Sequence, residues 1–169
     1  MYFRLHVFGD PRLTDEAGKT VPFPEKAVLS LAFLSTRSAR RLSRVEMANF
    51  LWGEHESANA LANLRQLLAR VKARQKELGA TLLDIRDSEV ELEGGSFRSD
   101  FDLLRESVPQ SPLQTIQDFL QFFTGDFLAG IDVSSEPAQL WLQAERARLL
   151  SRFAASLESA CTDDNLAHQ

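Results

Sequence analysis

Phe3, Leu5 and Val7 alternate with Tyr2, Arg4, His6 and Phe8, which predicts an opening β-strand. "GDPRL" and "DEAGK" read as turns. Val21 and Phe23 suggest another short strand, ended by Pro24. "EKAVLSLAFLSTRS" carries apolar residues almost all round a helical wheel, the pattern of a buried helix. Ser43 and Glu46 in "SRVE" have the spacing of a capping box, in which hydroxyl and carboxylate each satisfy a backbone N–H. The helix they open carries Val45, Ala48, Leu51 and Trp52, with Trp52 expected as a core anchor, and Gly53 ends it.

The next helix, from Ser57, is two-faced. Leu61, Leu64, Leu68 and Val71 recur at three- and four-residue steps, and Asn59, Asn63, Gln66, Arg70 and Arg74 form the opposite stripe. Gly79 is placed to end it in a left-handed conformation. "TLLDIR" and "SEVELE" then alternate about Asp87-Ser88, a β-hairpin. Strands, three helices and a hairpin are the element order of a winged helix-turn-helix, in which the third helix enters the major groove of DNA. After Ser96, "FRSDFDLLRES" reads as a strand running into a helix, with Phe97 and Phe101 expected to be buried at the junction. "SPLQTIQDFLQFF" reads as a helix capped by Ser111 with Pro112 in its first turn. The last helix, "AQLWLQAERARLLSRFAASLESA", is amphipathic, with Leu140, Ala144, Ala147, Ala154 and Leu157 in register, and the tail after it is expected to fray.

Charge sharpens the picture. The 169 residues carry a net charge of -5, unevenly spread. Residues 1–80 hold 13 Lys and Arg against 8 Asp and Glu; residues 81–169 hold 6 against 16. A basic half joined to an acidic half hints at a nucleic-acid face. Amides and guanidiniums are the side chains that hydrogen-bond base edges. Asn63, Gln66 and Arg70, near the middle of the stripe, are therefore the candidates for bases. Lys72 and Arg74, further along and to the side, suit phosphates, as do Arg41 and Arg44 around the start of the second helix. Arg86, the lone cation of the hairpin, is the remaining phosphate candidate, among Asp84, Asp87, Glu89, Glu91 and Glu93. Periodicity by itself favours an ordinary solvated helix face; the amides and arginines in one stripe, placed between a capped helix and a hairpin, reverse that balance.

Other chemistries find little support. His6, His55 and His168 are isolated, and the Glu89, Glu91, Glu93 row reads as the wet side of a hairpin, so no metal or cofactor is expected. There is no P-loop, GxGxxG, GxSxG or HExxH pattern, and Cys161 has no evident base, so no enzyme is expected. One cysteine excludes an internal disulfide; with no CxxC, signal peptide or 18-residue apolar run, a cytoplasmic protein without a membrane partner is expected.

"KAVLSLAFLSTRSARRLSRVEMANFLWGEHESANALANLRQLLARVKARQKELG" resembles the DNA-binding domain of SARP-type regulators (Streptomyces antibiotic regulatory proteins), whose winged helix is similar to that of OmpR/PhoB response regulators. "FDLLRES" and "GDFLAGIDVSSEPAQLWLQAERARLL" resemble the opening of the bacterial transcriptional activation domain that follows in that family. The resemblance implies an α+β winged helix-turn-helix over residues 1–96. It implies that residues 97–169 are the N-terminal part of an all-α, tetratricopeptide-like activation domain, which is expected to be incomplete. It also implies a transcriptional regulator, an activator, with duplex DNA and RNA polymerase as partners and a homodimer as a further option. Glu54, His55 and Glu56, in the link between the second and third helices, are the polymerase-contact candidates it implies. The alternative is a protein-interaction module on a winged-helix scaffold that has lost DNA binding, which the acidic hairpin favours.

Overall fold

The computed structural model describes residues 2–53, 57–106 and 112–167. It is a mixed α/β structure with a small N-terminal sheet, a second three-stranded sheet and a helical C-terminal region. β1 (Phe3–His6), β2 (Arg12–Thr14) and β3 (Thr20–Val21) form an antiparallel run, and β7 (Phe97–Ser99) joins it in parallel beside β1. β1 follows the expected alternation: Phe3 and Leu5 are buried, and Arg4 and His6 are half-buried. β2 lies in a stretch that reads as turns, because Pro11 precedes it and the "DEAGK" turn follows at once. What makes it a strand is Leu13, buried opposite Leu5 on β1. The Asp15 carboxylate closes the turn by accepting from the N–H groups of Ala17 and Lys19.

α1 (Glu25–Thr36) is buried from Ala27 through Ser35, as its all-round apolar character requires. Its buried hydroxyls are satisfied locally, Ser30 donating to the Lys26 carbonyl and Ser35 to that of Leu31. β4 (Arg41–Ser43) is three residues long and has no separate signature in the sequence. It pairs with β6 (Glu89–Leu92), which pairs on its other edge with β5 (Leu83–Ile85). α2 (Arg44–Trp52) starts from the Ser43–Glu46 capping box, with both hydrogen bonds present. Those bonds hold the Glu46 carboxyl below its ordinary value.

α3 (Ser57–Leu78) packs along α2 and ends in a Schellman motif: the Ala80 N–H reaches the Gln75 carbonyl, the Gly79 N–H that of Lys76, and Gly79 takes φ +64°. Gln75 then does what a backbone strand would do. Its buried side chain accepts from the N–H groups of Leu82 and Leu83, at 2.8 and 2.7 Å, and donates to the Leu83 carbonyl at 3.1 Å. One amide thereby fixes the hairpin against α3.

In the C-terminal region, α4 (Asp100–Glu106) is followed by α5 (Pro112–Phe122) and α6 (Glu136–Ala167). Phe97 is buried as expected, whereas Phe101 is only partly so, tilted against Phe127 at 6.3 Å. "GDFL" and "WLQAERARL" hold each other: Phe127 and Leu128 are buried, and the Arg146 guanidinium donates to both their carbonyls. The rotation of α6 differs from expectation. Leu140, Ala144, Ala147, Ala154 and Leu157 face outward, and Ala138, Leu142, Glu145 and Leu149 face inward. Trp141 sets that rotation. It packs edge-on against Phe33, Phe50 and Phe127 and donates to Thr36, so α6 is turned to bring it there. A glutamate on the buried side hid this register, since apolar spacing alone favours the outer stripe.

Two outcomes test this packing. Gln75→Ala leaves three buried backbone groups without a partner and should cost about 2–3 kcal/mol in denaturant melts; a change below about 0.5 kcal/mol would contradict the clamp. Burial raises the Glu145 carboxyl above its ordinary 4.5, against the opposing attraction of Arg148, and one of its oxygens has no hydrogen-bond partner. The folded state therefore disfavours the charged form, and its penalty is full at neutral pH and vanishes as pH falls toward 4.5. Glu145→Met should raise the melting midpoint at pH 7, with a gain that narrows on acidification. A gain that is the same at pH 7 and pH 4 would show that the charge is not its cause.

Candidate nucleic-acid interface

α3 has the length and the two faces needed to present side chains outward from a fixed base. Twenty-two residues at 1.5 Å each make about 33 Å. Ala60, Leu64, Leu67, Leu68 and Val71 are buried, so the helix cannot rotate without losing its core contacts. Leu61, expected among them, is partly buried against that core.

The outward face has a definite layout. At 100° per residue, Ala62, Gln66, Ala69 and Ala73 fall along its crest, all exposed. Asn63, Arg70 and Arg74 lie along one side of the crest, and Arg65, Lys72 and Lys76 along the other. Three of the four crest residues are alanines, so the crest is low, and cations stand on both flanks. Gln66 and Arg70 are exposed and Asn63 is half-buried; none of the three has a hydrogen-bond partner among the described residues. Arg65 and Lys76 were not in the sequence-derived set. The signal for them is the row Arg65, Lys72, Lys76 at steps of seven and four, which a reading along the amide stripe passes over.

The cations do not all stand alike. Arg65, Arg70 and Lys72 are exposed and form no ion pair among the described residues. Lys72 and Lys76 also line an open cleft of about 790 Å³ whose other side carries Asp84 and Glu93. Arg74 is committed internally: its Nε–H donates to the Pro22 carbonyl at 2.9 Å and its Nη1 to Glu77 at 2.7 Å. Arg41 is exposed on β4, opposite Glu91 of β6. The Arg44 backbone N–H donates to the Ser88 carbonyl, tying the start of α2 to the hairpin turn, and its half-buried side chain has a buried Nε without a partner.

Arg86 is the clearest departure from a phosphate contact. It meets Asp84, Glu89 and Glu91 at 2.8, 3.0 and 3.1 Å. The Asp84 hydrogen bond and charge, with Glu89 and Glu91, push its pKa above the ordinary arginine value. One cation shared by three carboxylates leaves the hairpin negative, so Arg86 has no free charge to offer a phosphate. Glu54, His55 and Glu56 lie outside the described residues. Among the described residues no cluster of His, Cys, Asp and Glu is arranged to hold a metal, and no helix is long and apolar enough to cross a membrane.

Neither a protein-family model nor a curated protein sequence matches the chain.

Proposed function

We propose that the chain is a sequence-specific DNA-binding transcription regulator of the SARP type. In this reading the N-terminal region is a winged helix-turn-helix whose α3 enters the major groove, and the helical region after β7 begins an activation domain that contacts RNA polymerase in the cytoplasm. One observation carries the reading: the outward face of α3 has a low, alanine-rich crest bearing Gln66, with Arg70 on one flank and Arg65 and Lys72 on the other, none of these four side chains having a partner among the described residues. The major groove admits a helix of that width, and a guanidinium or amide there can bond a base edge through two hydrogen bonds.

Roles follow from the layout. Asn63, Gln66 and Arg70 read bases. Arg65 and Lys72, with Arg41 and Arg44 at the start of α2, contact phosphates. Arg74 positions α3 against the Pro22 segment. Arg86 takes no part, and the acidic hairpin stands away from the backbone. The acidic C-terminal half does not prevent binding, because repulsion beyond about 8 Å is largely screened at physiological salt.

The acidic hairpin also supports the second reading, a protein-interaction module that no longer binds DNA. Fluorescence-anisotropy titrations separate the two, using a duplex selected from a random library, its single-base variants and random DNA. With about four phosphates neutralised, log K should fall with log salt at a slope of about -3 to -4 per bound copy. Arg70→Ala should cost about 1–3 kcal/mol on the selected site and relax the preference at one base pair. Arg65→Ala should weaken all duplexes about equally and reduce the slope by about one unit. A flat salt response and no enriched motif would favour the interaction module.

A further inference from the structure

Gln66 is the one long side chain on the crest of α3, which otherwise carries Ala62, Ala69 and Ala73. Its amide is exposed and has no partner among the described residues, and the same holds for the Arg70 guanidinium one turn on. The two heads differ in what they can meet. A carboxamide offers one acceptor, Oε1, beside one donor, Nε2. In the major groove adenine alone presents the complement on a single base, the N6 amino hydrogen beside N7. A guanidinium offers donors only, and guanine presents two acceptors, O6 and N7. Asn63 carries the same head as Gln66 on a side chain one methylene shorter, half-buried on the flank, so the adenine falls to Gln66.

On the reading of α3 as a major-groove helix, on which this rests, we infer that the recognised duplex carries an adenine met by Gln66, with a guanine met by Arg70 within about two base pairs of it, and that a methyl group on the N6 of that adenine excludes the protein. Four residues of helix advance about 6 Å and base pairs stack about 3.4 Å apart, which sets the separation of the two bases. The effect of the methyl group follows from where the amino hydrogens go. One N6 hydrogen is held by the pairing thymine. The other faces the groove, and Oε1 of Gln66 accepts it. In a paired N6-methyladenine the methyl group takes the place of that second hydrogen. Oε1 then loses its donor and meets a carbon where the hydrogen had been, and the amide loses its alignment with N7. Ala62 and Ala69, on either side, hold no polar side-chain group that could take over the contact. Adenine methylation thereby switches the site off without any change in the protein.

The test uses the whole chain and the duplex selected from the random library. That duplex is remade with N6-methyladenine, or with 7-deazaadenine, which lacks the N7 acceptor, at each adenine in turn, and with 7-deazaguanine at each guanine. Fluorescence anisotropy reads the affinities. At one adenine both changes should weaken the wild type about tenfold or more. Gln66→Ala should bind the duplexes with ordinary and altered adenine alike while keeping its sensitivity to 7-deazaguanine, and Arg70→Ala should show the reverse. Both side chains are exposed, and an unchanged circular dichroism spectrum and melting midpoint for each variant separates lost binding from lost fold. A selected site without adenine, equal binding to methylated and unmethylated duplex at every position, or a Gln66→Ala variant that still discriminates would each overturn the inference while leaving DNA binding in place. The absence of any saturable, sequence-dependent binding would instead remove the major-groove reading, and the inference with it.

Discussion

Two buried carboxylates govern how the chain closes on itself. Asp100 and Asp102 sit where β7 turns into α4, each 2–3% exposed, and a charge so placed is tolerated only when it is paired and hydrogen-bonded. Asp100 accepts from the Arg4 guanidinium at 2.8 Å and from the Val7 N–H, with His6 at 3.4 Å. Asp102 accepts from Arg40 at 2.6 Å and forms a reciprocal cap with Ser99, taking its N–H and hydroxyl while its own N–H donates to the Ser99 hydroxyl. These bonds fasten the start of α4 to β1 on one side and to the corner between α1 and β4 on the other. That corner leads directly into the capping box of α2, and α2 braces α3. Burial holds His6 below its usual 6.5 even with Asp100 nearby, while Arg12 and Arg4 oppose its protonation.

From that closure comes a separation of charge. The free cations of α3 point outward from a helix whose other side is core, and the carboxylates of the hairpin gather round Arg86. Gln75 holds the two elements together, so their relative position is set by buried hydrogen bonds rather than by attraction between surface charges. The α3 backbone is thus held in place by the fold itself, which under the proposed reading lowers the ordering cost of binding DNA.

Much of this was legible in the sequence because it rests on local periodicity. The all-round apolar run of α1, the Ser43–Glu46 cap, the two faces of α3 with Gly79 at its end, and the alternation of the hairpin all declare themselves within a few residues. What was hidden depends on distant partners. β2 and β4 are strands because Leu13 and Leu42 find neighbours across a sheet, and three residues carry too little pattern to say so. Arg86 looks like a free cation until the hairpin's pairing brings Glu91 alongside Asp84 and Glu89. Arg74 resembles the other arginines of its stripe until the fold brings Pro22 beside it. The inner side of α6 carries Glu145 and so looks polar, and only the aromatic cluster around Trp141 decides which side is covered.

The central claim is that the outward face of α3, and not the hairpin, meets duplex DNA. Backbone amide spectra of the isotope-labelled chain, recorded while a selected duplex is added to saturation, address it residue by residue. The account predicts shifts concentrated at residues 59–73 and at the start of α2, with residues 86–91 nearly unmoved. Saturable binding that shifts the hairpin and leaves α3 unchanged would contradict it.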